Sequence, residues 1–184
     1  MSKKVIFIGM FLSLIGATAF IKIYSTHKPY QKIEFSDTLY SQEREIARAK
    51  FREELQDSKR VMGFDDVTIK IAKYDLNHDG IQDVFVMLQG RAFCGSQGCW
   101  TGIYIVDKNE KWHEAYLFNT HGLFGVSHRK HAGYFDLVQI GSAKDHPTSE
   151  CFLLKYEWEN GRYEGVGYQE LTKKDEEAIG NENL

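Results

Sequence analysis

The hydrophobic pattern of the chain changes near Gly63. Before that point, from Ser41 onward, apolar side chains recur at near-helical spacing within a stretch rich in Glu, Arg and Lys. Ser41 suits an N-cap position and Gly63 suits a helix end, so the pattern predicts one helix over residues 42–60. Its dense charge is typical of an outer face in contact with solvent.

Beyond Gly63 the apolar positions alternate with polar ones, which predicts β-strands. The turns at Asp107–Glu110 and Asn160–Gly161 are typical of hairpins. The pattern gives seven short strands, at residues 67–71, 84–88, 103–106, 115–118, 134–140, 151–158 and 163–168. Because no helices separate these strands, they predict a mainly β (α+β) fold in which an antiparallel meander forms a sandwich or a barrel.

The N-terminal residues have the layout of an export signal. Two lysines precede an uncharged run over residues 5–21, and Ala17-Thr18-Ala19 within it suits a signal peptidase. Spanning a bilayer needs roughly 20 residues, and the uncharged run over residues 5–21 is close to that limit. Cleavage after Ala19 and retention as an inner-membrane anchor therefore both stay open. Both place the remaining chain in the periplasm or outside the cell. An N-terminal core helix of a cytosolic protein is the third alternative.

Composition and charge limit the class of protein. The 184 residues include 23 Lys plus Arg and 26 Asp plus Glu, so the net charge is −3 and a nucleic-acid-binding role is disfavoured. With 42% hydrophobic residues and two prolines, the chain is typical of a folded domain. We expect four segments: a signal peptide or anchor at 1–25, a tether at 26–40, a globular β-rich domain with an N-terminal helix at 41–172, and a flexible tail at 173–184.

Cys94 and Cys99 lie in a short segment that contains Gly95 and Gly98. Both glycines can adopt positive φ and let the chain double back, which predicts a disulfide between the two cysteines. A zinc site and a redox-active pair are rival interpretations, but the Cys-x2-Cys spacing is absent. Free thiols are a further alternative. Cys151 lies in an apolar run and is predicted to be a buried thiol.

Residues 75–83, Asp-Leu-Asn-His-Asp-Gly-Ile-Gln-Asp, carry the most specific chemistry in the chain. Oxygen donors stand at every second position, and the glycine permits the sharp turn that folds them around one point. Ca²⁺ requires such hard oxygen ligands. The predicted ligands are Asp75, Asn77, Asp79, the carbonyl of Ile81, and Asp83. A polar β-turn without metal is the alternative, since Asp, Asn and Gly also favour turns.

This segment resembles the calcium loops between strands in integrin-type (FG-GAP-like) repeat proteins. It differs from an EF-hand because position 12 is Val86 and a strand follows. Together with the Cys94–Cys99 segment, Trp158 and the Asn160–Gly161 turn, it makes residues 65–165 resemble exported bacterial envelope β-domains. These residues are also similar to periplasmic lysozyme inhibitors and immunity proteins. The resemblance implies a structural Ca²⁺ and an envelope partner such as a peptidoglycan hydrolase or a toxin.

Three histidines are the candidates for catalysis or zinc binding: His121, His128 and His131. Either role needs a converging carboxylate or thiolate, which Asp136 or Glu150 could supply although nothing in the spacing requires it. Neighbouring basic residues indicate a polar exposed loop instead. The chain contains no nucleophile elbow, no zinc-protease motif and no phosphate loop. The sequence therefore favours a non-enzymatic protein.

Three functions follow from these features. The first is an exported binding domain, such as an inhibitor or immunity protein, that engages an envelope protein. The second is an envelope hydrolase or metal-dependent enzyme that uses the three histidines. The third is an accessory subunit of a membrane complex, held by an uncleaved N-terminus. Aromatic residues near strand ends are compatible with a rigid contact surface in the first case, namely Phe93, Trp100, Trp112, Phe118 and Phe124.

Overall fold

The computed structural model describes residues 29–141 and 152–179, which form two antiparallel sheets with helices on their outer faces. The predicted signal or anchor segment, Glu150 and Cys151 lie outside the described residues. The elements in chain order are β1 (Tyr30–Lys32), α1 (Ser41–Lys50), α2 (Arg52–Met62), β2 (Thr68–Tyr74), β3 (Asp83–Gln89), β4 (Cys94–Gly95), β5 (Gly98–Val106), β6 (Trp112–Thr120), β7 (Phe124–His131), β8 (Tyr134–Gly141), β9 (Phe152–Glu159), β10 (Arg162–Glu170) and α3 (Lys173–Ile179).

The strands form a sandwich and do not close into a barrel. Sheet 1 has the order β1-β7-β8-β9-β10. Sheet 2 has the order β2-β3-β5-β6, and the two-residue β4 also pairs with β5. All these pairings are antiparallel, and most join consecutive strands through short turns. The mainly β sandwich predicted from the sequence is therefore confirmed, and the barrel alternative is wrong.

Two hydrophobic clusters explain why β3 carries no polar residue between Val84 and Leu88. Phe85 points between the sheets, where it packs with Phe124 and other buried side chains of both sheets. The alternate positions of β3 point to the opposite face, where Ala47 of α1 and Phe51, which follows α1, cover sheet 2. A strand buried on both faces reads as a continuous apolar run.

The single helix predicted over residues 42–60 is instead two helices, α1 and α2. The break lies at Phe51, whose φ of −99° and ψ of 25° leave the helical region. Its side chain is buried and its ring packs edge-on against Trp100, with 4.9 Å between the ring centroids. The packing of Phe51 against sheet 2 outweighs the helix propensity of the surrounding residues, because helix propensity is a weak preference.

The structure contains elements that the sequence pattern did not predict. Residues 30–32, within the expected tether, form β1 and pair with β7. Residues 173–179, within the expected flexible tail, form α3, whose Ile179 is buried against β8 and β9. Thr172 and Asp175 cap α3 with reciprocal hydrogen bonds of 3.0 Å and 3.3 Å. Within residues 29–141 and 152–179 there are thus ten strands and three helices rather than seven and one.

The predicted disulfide between Cys94 and Cys99 is confirmed. The two residues lie directly opposite each other on β4 and β5, and a two-residue turn, Ser96-Gln97, connects the strands. Gly98 has a φ of +101°, and an added Cβ there would lie 2.2 Å from the carbonyl carbon of Thr120. Glycine is therefore required at this position, because the hairpin packs directly onto the end of β6.

We expect the double substitution Cys94→Ser, Cys99→Ser to lower the free energy of unfolding by about 2 kcal/mol, because the short closed loop no longer restricts the unfolded chain. The melting temperature of the variant should be about 4–8 °C below that of the unmodified chain with its disulfide formed. Thermal denaturation followed by circular dichroism measures this shift. Reductant should lower the melting temperature of the unmodified chain to that of the variant. An unchanged melting temperature after reduction would contradict the expected contribution.

Candidate functional site

The predicted calcium ligands lie in the loop that joins β2 to β3. Tyr74 and Asp83 pair at the neck of this loop, where the two strands meet. Leu76 is fully buried in the cluster between the sheets and anchors the loop from within. The N–H of Phe135, on β8 of the opposite sheet, donates to the carbonyl oxygen of Leu76 at 2.9 Å. The loop is therefore held by both sheets.

The side-chain oxygens of the loop turn inward onto its own backbone. The N–H of Asp79 donates to Oδ1 of Asn77 at 2.9 Å and to Oδ1 of Asp75 at 3.2 Å. The N–H of Gly80 donates to Oδ2 of Asp75 at 3.0 Å, and that of Ile81 donates to Oδ1 of Asp79 at 2.8 Å. Such Asx turns direct the oxygens of several residues toward one side of the loop.

Two residues adopt the left-handed conformation that this turn requires. His78 has a φ of 63° and Gly80 has a φ of 87°. This region is costly for residues with a Cβ and free for glycine. The ring of His78 packs edge-on against Phe135, with 4.8 Å between centroids, which stabilises its unusual backbone. The turn predicted at Gly80 is thus present, and it includes a second residue with positive φ, His78.

Asp83 is the most constrained carboxylate of the loop. Asp83 is only 1% exposed. Its two carboxylate oxygens accept hydrogen bonds from the N–H of Leu76 at 2.9 Å and from the N–H of Val106 at 3.0 Å. Burial raises the pKa of Asp83 to about 6, and the nearby charges of Asp79 and Asp75 act in the same direction. The two N–H donors act in the opposite direction.

The loop places four predicted side-chain ligands in one turn without drawing them into a tight cluster. The carboxylates of Asp75, Asp79 and Asp83 do not all come within 4.8 Å of one another. Backbone N–H groups occupy the oxygens that a cation would use. Oxygen ligands of this kind suit Ca²⁺ or Mg²⁺ and are too hard for softer metals. Calcium binding therefore stays a prediction.

The three histidines do not form one group. His128 and His131 lie on β7 rather than in the polar loop expected from the sequence, and His121 lies beyond its other end. Nδ1 of His131 is 2.6 Å from Oδ1 of Asp136, and its Nε2 is 3.3 Å from Oε2 of Glu157. The pairing with Asp136 was considered from the sequence. The contact with Glu157 was missed, because 26 residues separate it from His131 and no local pattern joins them.

The aromatic residues near strand ends pack against the two hydrophobic cores, with one fully buried and four partly buried. Phe124 is buried between the sheets, and Phe118 packs against it with 5.2 Å between centroids. Trp112 packs against Tyr104 at 5.6 Å, beneath the helices. Phe93 and Trp100 join the same helix-covered cluster. Phe124 is therefore a core residue, and the other four are partly buried side chains that pack against the two cores.

The tip of the disulfide hairpin, between β4 and β5, is exposed. Residues 95–97 are exposed, while the flanking Gly98 is buried. A cleft of about 280 Å³ lies beside the tip and extends between the two sheets. Its lining combines polar groups and aromatic rings: Ser96, Gln97, Phe118, Asn119, His121 and Tyr156 among others. Rigid, exposed tips beside a concave surface are suited to protein recognition.

Comparison with known proteins gives no family model, no curated protein and no solved structure that matches this chain. Among residues 29–141 and 152–179, no helix is both long and apolar enough to cross a membrane. The molecule is accordingly defined as a mainly β sandwich with a disulfide-closed hairpin and an aspartate-rich loop between its first two long strands.

Proposed function

We propose that this chain is an exported, non-enzymatic binding domain, stabilised by Ca²⁺, that contacts a protein of the cell envelope through its disulfide hairpin. The observation that carries the proposal is the hairpin itself. Ser96 and Gln97 form an exposed turn whose flanking strands are joined by the Cys94–Cys99 disulfide. A tip fixed before binding loses little conformational entropy on association, which favours affinity.

The aspartate loop supports the calcium part of the proposal. Asp75, Asp79 and Asp83 place three carboxylates in one turn, and Asp83 is nearly inaccessible to water. Each additional negative charge opposes ionisation of Asp83. A cation that draws the loop oxygens together would replace their hydrogen bonds to the backbone and neutralise this repulsion. The ion would stabilise the loop and would carry out no chemistry.

The arrangement of the histidines supports a non-enzymatic role. Both ring nitrogens of His131 face carboxylates. His121 lies beyond the opposite end of β7, so roughly 20 Å of strand separates the two residues. His121 and His131 therefore do not combine into one acid–base group, which a hydrolase that used the three histidines together would need.

The partner class follows from the resemblance to periplasmic lysozyme inhibitors and immunity proteins, and from the shape of the tip. Hydrolases that cut polymeric cell-wall substrates have open clefts into which a narrow hairpin fits. We propose a peptidoglycan hydrolase or a secreted cell-wall toxin of this type as the partner. Gln97 at the tip would then enter the cleft, and the neighbouring concave surface would contact its rim.

Inhibition of lysozyme-type peptidoglycan hydrolases by the purified chain tests this function. We expect inhibition that saturates at one chain per enzyme, and we expect Gln97→Arg to weaken it about tenfold or more, because a long charged side chain replaces an amide at the centre of the contact. Hydrolysis of a labelled cell-wall suspension, recorded against chain concentration, measures both effects.

Asn109→Arg is the matched control, since Asn109 lies exposed at the tip of the β5–β6 hairpin. It introduces the same charge and size at a different turn, and inhibition should be unchanged. Equal weakening by both variants, or no inhibition of any hydrolase in a panel, would contradict the proposal. Release of cell-wall fragments by the chain alone would instead establish the enzyme alternative.

A further inference from the structure

A second group of metal-ligating side chains lies on three neighbouring strands of sheet 1. His131 ends β7, Asp136 lies near the start of β8, and Glu157 lies near the end of β9. Each offers one ligand atom, and the three atoms lie within 4.8 Å of one another. Within residues 29–141 and 152–179, no other set of three His, Cys, Asp or Glu side chains meets that condition.

The strand register puts acidic residues directly opposite each other in this region. Leu137 of β8 pairs with Tyr156 of β9, so the same register continued by one residue places Asp136 opposite Glu157. Glu157 also pairs with Glu164 of β10. Like charges at directly opposite positions destabilise a sheet. Glu164 already pairs with Arg162, so the neighbouring carboxylates of Asp136 and Glu157 are the two that favour a positively charged group between them.

The contacts of His131 orient its ring toward such a group. Nδ1 lies 2.6 Å from Oδ1 of Asp136, and an ionised carboxylate only accepts hydrogen bonds, so Nδ1 donates. In the neutral ring the lone pair is then on Nε2, which lies 3.3 Å from Oε2 of Glu157. Two ligand atoms bound at about 2.0 Å to a tetrahedral ion are separated by about 3.3 Å.

We infer that Nε2 of His131 and the carboxylate of Glu157 bind a divalent transition-metal ion, Zn²⁺ in preference to Ca²⁺, with Asp136 orienting the histidine ring. Metal-binding histidines usually donate their second ring N–H to a carboxylate, as His131 does here. An imidazole–carboxylate pair suits Zn²⁺, whereas the all-oxygen loop at Asp75–Asp83 suits Ca²⁺. The inference does not rest on the proposed function.

The surroundings leave this position accessible and assign separate roles to the two carboxylates. The side chains of His131 and Glu157 are 36% and 31% exposed, so an ion and its waters can reach them from solvent. Asp136 is nearly buried, and Nε of Arg129 lies 3.9 Å from its Oδ2. The negative charge of Asp136 is therefore partly balanced by Arg129, whereas the negative charge of Glu157 is available to the ion. Water molecules complete the coordination.

Isothermal titration of the full chain with Zn²⁺ tests the site, in buffer that contains 10 mM Ca²⁺ so that the aspartate loop does not compete for zinc. We expect one zinc ion per chain, and at least a tenfold loss of affinity in His131→Ala and in Glu157→Gln. Asp136→Asn should lower the affinity by about 10- to 100-fold, because it weakens the support of a ligand. Co²⁺ in place of Zn²⁺ should give visible absorption bands that disappear in His131→Ala.

His113→Ala is the matched control. Nε2 of His113 lies 2.9 Å from Oδ2 of Asp107 on the protein surface, a histidine–carboxylate pair without a second carboxylate in the described residues. Its zinc affinity should equal that of the unmodified chain. Equal affinity in His131→Ala, or an equal loss in His113→Ala, would overturn the inference. Melting curves of each variant without metal verify that it folds, and a failure here leaves the hydrolase test of the hairpin unaffected.

Discussion

Ca²⁺ at 10 mM should raise the melting temperature of this domain by about 3–10 °C. Calcium sites of extracellular modules dissociate at about 10⁻⁴ to 10⁻³ M. At a ten- to hundredfold excess over the dissociation constant, a ligand that binds only the folded state stabilises it by about 1.4–2.7 kcal/mol. For a domain of this size each kcal/mol corresponds to about 2–4 °C. Differential scanning calorimetry with 10 mM Ca²⁺ and with chelator measures the shift.

Asp79→Ala should abolish this calcium response while the domain remains folded, because Asp79 is an exposed loop residue. Mg²⁺ should give a smaller shift, since it demands a tighter octahedral geometry. Asp65→Ala is a matched control, because Asp65 is an exposed aspartate that pairs with Lys59 outside the loop. Identical melting curves with Ca²⁺ and with chelator in the unmodified chain would show that residues 75–83 form a polar turn without metal.

In calcium-free buffer, the free energy of unfolding should decrease by about 2–3 kcal/mol between pH 4 and pH 7 through Asp83 alone. Burial raises the pKa of this carboxyl from 3.8 in the unfolded chain to about 6 in the folded domain. Between these values the folded state binds a proton that the unfolded state has lost. Unfolding then releases a proton, so raising the pH favours unfolding, by about 1.4 kcal/mol per unit of pKa difference.

The comparison of the unmodified chain with Asp83→Asn isolates this contribution. Asparagine has the same shape but does not titrate, so the stability difference between the two proteins should change by 2–3 kcal/mol from pH 4 to pH 7. Glu43 and Asp66, whose pKa values are lowered by Lys73 and Arg91, are present in both proteins and cancel in the difference. Urea denaturation at each pH measures it. Parallel pH profiles would contradict the role of Asp83.

The parts of the fold that the sequence predicted correctly depend on local chemistry. The Asn160–Gly161 hairpin forms because both residues adopt positive φ, at 52° and 86°. The disulfide joins cysteines five positions apart, and the turn at Gly80 is coded within nine residues. In each case the residues that determine the structure are neighbours in the chain.

The features that escaped prediction depend on distant partners. The C-terminal half of β7 is polar and exposed, so its sequence resembles a loop although Lys130 and His131 pair with β8. The break at Phe51 reflects the position of Trp100 on β5. Glu157 meets His131 only because β8 lies between their strands. The sequence did contain one local signal for α3, the Thr172-x-x-Asp175 cap.

Strand β3 has a consequence for how this protein can change during evolution. From Asp83 to Leu88 every residue is buried, and only Gln89 reaches solvent. A polar replacement at Val84, Phe85, Val86 or Leu88 would leave an unpaired group in one of the two cores, so substitutions at these positions are heavily constrained. Strand β10, largely exposed beyond Tyr163, is free to vary. Divergent relatives should therefore retain the aspartate loop followed directly by this apolar strand, even where the rest of their sequence has changed.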